Sequence, residues 1–154
     1  RRILREPRLH AAPSIFFVVA PRALAHPHLI RRMLDEGHEV GLHCWAHTRH
    51  SARTRGAVAD DTDRALAALA ALGVRPRRWR TPWGDVAPWS KALADERGLA
   101  LAGWSADTHD WRGDDAARVL ATTLPALAPH VGRRVLPGAR QRLRPRALRA
   151  TAAA

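Results

Sequence analysis

The sequence predicts an α/β fold in which parallel strands alternate with helices. Short apolar runs of strand length recur along the chain, and segments with helix start and end signals separate them. The first run, residues 14–20 (SIFFVVA), is apolar throughout, as expected of a strand buried on both faces. Pro27 and Gly37 then bracket a helix (HLIRRMLDE), because proline favours a helix start and glycine a helix end. Such a sheet is either open or closed into a barrel.

The remaining elements continue this alternation. Residues 39–43 (EVGLH) form the second strand. Residues 60–72 form a helix with a face of alanine and leucine, which Gly73 ends. A short strand follows at residues 78–80, a Pro/Gly turn at 81–84, a helix at 88–97 and a strand at 99–105. Asp114 or Asp115 then caps a helix that runs to about residue 124, and residues 133–136 form a last strand.

The basic charge of the chain is concentrated at its C-terminal end. The 154 residues include 26 Lys and Arg and 14 Asp and Glu, which give a net charge of +12. Residues 1–115 contain 18 basic and all 14 acidic residues, whereas residues 116–154 contain eight arginines and no acid. Most of the charge therefore belongs to the tail, and we expect no nucleic-acid partner.

Composition excludes several other classes of protein. A single cysteine, Cys44, rules out a disulfide scaffold and a cysteine-based zinc module within these residues. No apolar run approaches the ~18 residues of a membrane span. No signal peptide is visible behind the opening RRILR, although the absence of an initial Met leaves room for upstream residues. The compartment stays open, and we expect a monomer.

Two histidines with a spacing of four follow the second strand. His43 and His47 (HCWAH) would share one face if this segment were helical, so that both imidazoles could reach one ion. Neutral imidazole is a common ligand of zinc and other divalent transition metals. The alternative is a chance pair in a loop, since the chain has nine histidines. His50 is a candidate third ligand, and His38 is expected in a surface turn.

Polar and aromatic residues also follow the third and fourth strands. The segment RTPWG contains Arg80, which could clamp a carboxylate, and Trp83, which could offer a flat apolar surface to a sugar ring. The segment DTHDW contains Asp107 and Asp110, which could pair with that arginine if the loops are neighbours, and Trp111, a second aromatic surface. An ordinary tight turn and a helix-capping loop are the alternatives.

Taken in order, these three segments resemble the polysaccharide deacetylase family, the NodB homology domain. The family's second motif, H-[ST]-x-x-H, is matched by HCWAH, with Cys44 in place of Ser or Thr. Its third motif, R-x-P-x-G, is matched by RTPWG at residues 80–84, and its fourth, D-x-x-D-W, by DTHDW at residues 107–111. The resemblance covers about residues 15–129.

The resemblance implies an incomplete (β/α)7-type deacetylase barrel over residues 1–132. It implies a metal-dependent hydrolase that removes N-acetyl groups from amino-sugar polysaccharides. By the same resemblance, His43 and His47 would hold one divalent ion, with zinc as the first candidate. Arg80 would orient the catalytic base, supported by Asp107 or Asp110. The groove for the N-acetylated glycan substrate would be walled by Pro82, Trp83 and Trp111.

Two parts of the family pattern are missing. The first motif, T-F-D-D-G-P, supplies the general base and an aspartate metal ligand, and nothing before Ile15 matches it. Asp60 and Asp61 are no substitute, because they are expected to open a helix. The fifth motif, a strand ending L-x-H whose histidine is the general acid, is replaced by RRVLPGAR. Metal affinity should be weak or absent unless another carboxylate is supplied, and the activity of these residues should be impaired.

The last residues follow a different pattern from the rest of the chain. Residues 133–154 form an irregular tail rich in Arg, Ala and Pro, with no acid. We interpret this tail as disordered or as the product of a shifted reading frame.

The competing interpretation is a non-catalytic carbohydrate-binding fragment, a pseudoenzyme that keeps the aromatic groove. Zinc binding together with acetate release would favour the enzyme. Sugar binding without either would favour the pseudoenzyme.

Overall fold

The computed structural model describes residues 13–104, 107–108, 113 and 115–127. Contacts within the chain divide it into two compact units between Ala102 and Gly103. The first unit contains the elements β1 (Ile15–Val19), α1 (Ala20–Ala25), α2 (Pro27–Asp35), β2 (Glu39–Cys44), α3 (Arg55–Ala71), β3 (Arg78–Trp79), α4 (Ser90–Asp95) and β4 (Ala100–Leu101). The second contains α5 (Ala116–Leu127).

The four strands form one parallel sheet in the order β1-β2-β3-β4. Leu42 on β2 lies opposite Trp79 on β3, which lies opposite Leu101 on β4. At least one helix stands between each strand and the next, so the predicted α/β alternation of an incomplete barrel is confirmed. Because the strands run in one direction, the segments that follow β2 and β3 meet at the same edge of the sheet.

The apolar core of the first unit lies between this sheet and the helices. Its largest side chains include Leu42 and Trp79 on the central strands and Leu69 on α3, none more than 1% exposed. Burying each such side chain stabilises the fold by about 1.5–3 kcal/mol. The other core members are Ala20, Ala23, Ile30, Val40, Val58, Ala65, Val74, Leu93, Ala94 and Leu99.

Several elements differ in extent from the sequence prediction. An additional helix, α1, follows β1 directly, and β4 is shorter than the predicted 99–105. The prediction that Asp60 and Asp61 open a helix was wrong, because α3 already begins at Arg55. Thr54 caps it there, since its Oγ1 accepts a hydrogen bond from the N–H of Ala57 at 3.2 Å.

In the second unit, the predicted capping of the helix by an aspartate is confirmed. Asp115 Oδ1 accepts the N–H of Arg118 at 2.8 Å and so caps α5, which runs on through Pro125 to Leu127. The predicted strand at 133–136 and the tail 133–154 lie outside the described residues. No helix in the described part of the chain combines the length and the apolar character that crossing a membrane requires.

We expect Gly41→Ala to destabilise the sheet by about 1–3 kcal/mol, because a Cβ on β2 would overpack its neighbours. That Cβ would lie 2.7 Å from two ring atoms of Phe17 and 3.3 Å from the Arg78 carbonyl oxygen. Gly56→Ala in α3 is the matched control, since nothing lies within 4 Å of its Cβ position and alanine favours a helix. Urea unfolding measures both, and equal stability of the two variants would contradict the prediction.

Candidate functional site

The imidazoles of His43 and His47 converge at the carboxyl end of β2. Their Nε2 atoms lie 3.0 Å apart and their ring centroids 4.8 Å apart. His43 belongs to the strand and His47 to the loop after it, so a turn of the chain, not a helix, brings them together. Within the described residues, no group of three His, Cys, Asp or Glu is arranged to hold a metal ion.

The backbone of the neighbouring strand fixes the tautomer of His43. Its Nδ1 lies 2.6 Å from the carbonyl oxygen of Arg80. Because a carbonyl can only accept a hydrogen bond, the proton is on Nδ1 and the Nε2 lone pair faces His47. This is the arrangement that orients histidine ligands in metal sites, where the second ring nitrogen donates to a carbonyl or a carboxylate.

The electrostatics of the pair keep His43 neutral at pH 7. Burial lowers its pKa, and the nearby charges of His47 and Arg80 lower it further, against the raising effect of the hydrogen bond to the Arg80 carbonyl. A neutral His47 could offer its Nε2 lone pair beside that of His43 only in the tautomer that carries the proton on Nδ1.

Arg80 begins the turn after β3. Its N–H donates to the Leu42 carbonyl at 3.0 Å, which extends the pairing of β3 with β2 by one residue. Its guanidinium lies over the Phe17 ring, with Cζ 4.4 Å from the centroid. Burial lowers the pKa of this half-buried arginine. The sheet thus places a cation beside the histidine pair.

The 3-10 turn Pro82–Gly84 presents Trp83 to solvent next to His47. The Trp83 ring is 52% exposed, and its centroid lies 4.2 Å from that of His47. The backbone φ of Trp83 is +54°, a conformation that costs a non-glycine residue about 1–2 kcal/mol. The Cζ atom of Arg49 lies 5.0 Å from the centroid of the same ring, while Pro82, the first residue of the turn, is buried. The predicted turn therefore displays an exposed aromatic face.

His50 is buried in contacts of its own, which disfavours it as the third ligand that the sequence left open. It is 3% exposed, and its Nδ1 hydrogen-bonds Ser90 Oγ at 2.9 Å. Its ring contacts those of Trp79 and Trp89, whose centroids lie 5.0 and 5.7 Å away. The Ser90 hydroxyl also accepts the N–H of Ala87 at 3.0 Å. His50 thus ties the loop after β2 to the loop after β3.

We expect the free energy of unfolding to fall as the pH decreases through 6.5, partly because of His50. Burial lowers the pKa of His50 below its usual 6.5, although Asp85 and Asp61 oppose this effect. The unfolded chain then binds more protons than the folded chain between the two pKa values, so the stability that neutral His50 contributes is fully present above pH 6.5 and is lost as the pH falls towards the lower pKa of the folded state. Urea unfolding against pH, with NMR titration of the His50 ring, measures this. A folded-state pKa at or above 6.5 would contradict it.

Two more side chains noted in the sequence are buried. Burial, helped by the charge of Asp61, raises the pKa of the Cys44 thiol to about 12, so it stays protonated at neutral pH. The placement of His38 in a surface turn was wrong, because it is 6% exposed and its Nδ1 accepts the N–H of Ser14 at 3.3 Å. The turn at Gly37 directs His38 inward to the start of β1.

The fourth segment is described only in part. Asp107 is half-buried in the second unit, whereas Asp110 and Trp111 lie outside the described residues. The pairing of Arg80 with Asp107 or Asp110 therefore stays a prediction, as does the aromatic surface of Trp111.

The sequence analysis considered Asp61 only as a substitute for the missing first motif and missed its contact with the loop between the two histidines. Its Oδ2 accepts the N–H of Trp45 at 2.9 Å, and its Oδ1 accepts the N–H of Ala46 at 3.0 Å. No local signal marks such a contact, since the partners are 15 and 16 residues apart in the chain. Thr54 as the N-cap of α3 places Asp61 within the helix and not at its start. That position was the one signal that could have marked Asp61 as a residue that contacts another element.

The fold and the site define a parallel α/β domain with a polar, imidazole-containing site at the carboxyl ends of its strands. Enzymes of the barrel class act at this position. The polysaccharide deacetylase family model matches residues 2–102, and the chain belongs to this family. The resemblance drawn from the motifs is thereby confirmed.

Named relatives and a solved structure agree with this assignment. A chitooligosaccharide deacetylase from Bradyrhizobium sp. (strain ANU 289) is 34% identical over 122 residues, which cover 78% of this chain and 56% of that protein. The peptidoglycan-N-acetylglucosamine deacetylase PgdA of Listeria monocytogenes serotype 1/2a is 34% identical over 126 residues, covering 75% of this chain and 24% of that protein. The chain thus spans about half, or less, of these relatives.

Among solved structures, the Bc1960 peptidoglycan N-acetylglucosamine deacetylase, in complex with a substituted N-oxidanyl-benzamide, superposes with a TM-score of 0.77. The two chains are 25% identical, and the match covers 80% of this chain and 58% of the other. The likeness supports the α/β deacetylase fold.

Proposed function

We propose that the chain is a metal-dependent hydrolase that removes N-acetyl groups from amino-sugar polysaccharides. The observation that carries the proposal is the pair of imidazole nitrogens 3.0 Å apart at the carboxyl end of β2, in a member of the polysaccharide deacetylase family. The two relatives at 34% identity are named as deacetylases of chitooligosaccharide and of peptidoglycan N-acetylglucosamine. Their names do not favour the non-catalytic alternative.

The donor set suits one divalent ion, with zinc as the first candidate. His43 and His47 would hold it through Nε2, and the bond from His43 Nδ1 to the Arg80 carbonyl orients the first of these ligands. The ion would act as a Lewis acid towards the acetamide carbonyl and the attacking water. A structural zinc site needs four ligands and a catalytic site usually three protein ligands, so affinity is weak or absent unless a further carboxylate is supplied.

The residues around the pair would bind and orient the substrate. Arg80 brings a positive charge to the site and, by family resemblance, orients the catalytic base with help from Asp107 or Asp110. Pro82 supports the turn on which Trp83 offers an aromatic face to the sugar ring. Because the motifs for the general base and the general acid have no match in the sequence, we expect slow turnover by these 154 residues.

An acetate-release assay with added Zn²⁺ tests the proposed function. The full chain is incubated with an N-acetylated chito-oligosaccharide or with peptidoglycan, and acetate and the new free amine are quantified together. Equal amounts of both products, dependent on Zn²⁺, are expected. Oligosaccharide binding with neither zinc binding nor acetate release would overturn the proposal in favour of a carbohydrate-binding pseudoenzyme.

We expect Trp83→Ala and Trp83→Gly each to weaken oligosaccharide binding about 10-fold, because both remove the exposed aromatic face beside His47. The glycine variant should be about 1 kcal/mol more stable than the alanine variant, since glycine adopts a φ of +54° without strain. Calorimetric titration measures the affinity and urea unfolding the stability. Unchanged affinity in both variants would exclude Trp83 from the groove.

A further inference from the structure

We propose that Asp61 is a positioning residue that sets the distance between the two histidines by binding the backbone of the loop that joins them. The proposal rests on the proposed function, because it assigns Asp61 a role in assembling the metal-ligand pair. Asp61 acts through the loop, and its own oxygens are engaged by donors of that loop and by Arg53.

The loop that carries His47 is bound by a carboxylate from a different element of the fold. His43 is held within β2, which ends at Cys44, whereas His47 is exposed and lies in the loop that follows. Asp61 Oδ2 accepts the N–H of Trp45 and Oδ1 that of Ala46, at 2.9 and 3.0 Å. The amides of Trp45 and Ala46, the two loop residues between the histidines, are therefore bound to one carboxylate, which fixes the direction in which the chain leaves the sheet.

Helix α3 gives this carboxylate a rigid base. Thr62, the next residue along the helix, is 1% exposed, and Val58, one turn earlier, is 2% exposed. The Asp61 side chain is itself 8% exposed. Burying a charged carboxylate costs solvation free energy, which charge-assisted hydrogen bonds must offset. The amides of Trp45 and Ala46 supply two such bonds.

Two arginines extend the same support. Arg53 Nη1 donates to Asp61 Oδ1 at 3.1 Å and to Thr48 Oγ1 at 3.3 Å, so it joins the carboxylate to the far side of His47. One turn further along α3, the guanidinium of Arg64 lies 3.8 Å from the centroid of the Trp45 ring. The helix therefore holds both the backbone and the side chain of Trp45, and the loop is bound on either side of the second ligand.

The isosteric substitution Asp61→Asn tests this role in the full 154-residue chain. It places an amide NH₂ where one oxygen accepted a loop N–H, so one of the two bonds is replaced by a contact between two donors. Asp63→Asn is the matched control, because Asp63 lies on the same helix but pairs with Arg97 at 2.6 and 2.7 Å. Asp61→Glu, which keeps two acceptor oxygens, is the rescue variant.

Three measurements separate positioning from general stabilisation. Amide hydrogen exchange followed by NMR should accelerate at Trp45 and Ala46 in Asp61→Asn, with the β2–β3 amides unchanged. Titration with Zn²⁺ alone should give an affinity about 10–100-fold lower than that of the unmodified chain. Asp63→Asn should alter neither quantity, Asp61→Glu should recover part of both, and urea unfolding reports the global stability of each variant.

Two results would overturn the positioning role. One is unchanged exchange at Trp45 and Ala46 in Asp61→Asn, and the other is equal acceleration throughout the sheet, which indicates a stability effect alone. If the unmodified chain binds no Zn²⁺, the metal-dependent function fails, yet the exchange experiment still decides whether Asp61 holds the loop.

Discussion

Replacing His47 by alanine should abolish zinc binding and reduce acetate release to the background rate, with little loss of stability. The side chain of His47 is exposed, so its removal leaves the core intact, while a single imidazole remains at the site. His43→Ala should have the same effect on zinc. It should also cost about 1 kcal/mol of stability, because the Arg80 carbonyl loses its donor at 2.6 Å. Calorimetric titration with Zn²⁺ and urea unfolding measure the two effects.

His26→Ala is the control for this pair of variants. His26 lies between α1 and α2, on the surface and outside the site, so zinc binding should be unchanged. An unchanged zinc stoichiometry in both His43→Ala and His47→Ala would refute the assignment of these residues as ligands. Loss of binding in only one of them would show that the other imidazole is dispensable.

Replacing Trp79 by alanine should lower the free energy of unfolding by about 3–5 kcal/mol, the largest effect on stability that we expect. Trp79 is 1% exposed at the centre of the sheet, where no rearrangement of the short strand β3 can fill so large a cavity. Its Nε1 donates to the His43 carbonyl at 3.0 Å, and its ring contacts His50. The substitution therefore also loosens both segments that flank the site.

Trp79→Phe separates these contributions. Phenylalanine fills most of the cavity but lacks the indole N–H, so the His43 carbonyl is left without this donor at a cost of about 1–3 kcal/mol. Trp83→Ala is the exposed control and should leave stability nearly unchanged. Urea unfolding of the three variants measures the order of effects. A loss below about 1 kcal/mol for Trp79→Ala would contradict the packing described for the core.

The parts of the fold that could be predicted are those with strong local patterns. The apolar run of β1, the helix that starts at Pro27 and the strand before His43 depend on periodicity and on end signals, which neighbours in the sequence determine. The start of α3 could not be predicted because the exposed residues of its first turns, Arg55, Gly56 and Asp60, are polar or small and give no apolar period. The hydrogen bond by which Thr54 caps this helix exists only in the folded structure.

The residues of the candidate site likewise divide into those that the sequence could predict and those that it could not. The pair of histidines and the turn at Arg80 could be located because their residue types and order match a family pattern. The roles of Asp61 and His50 could not, because both depend on partners at least 15 residues away in the sequence. A buried histidine beside two tryptophans and a histidine of the candidate site look alike in a sequence, and only the folded sheet shows which one lies at the site.

The bond from His43 to position 80 uses the main chain of Arg80 and not its guanidinium. The orientation of the imidazole therefore does not depend on the side chain at position 80, provided that the residue keeps its main-chain N–H and the strand keeps its length. In evolutionary terms, the charge at position 80 and the geometry at His43 can vary independently. A single-residue insertion or deletion before Arg80 would alter both at once. Libraries that randomise position 80 should thus retain the ligand geometry, whereas those that alter the length of β3 should lose it.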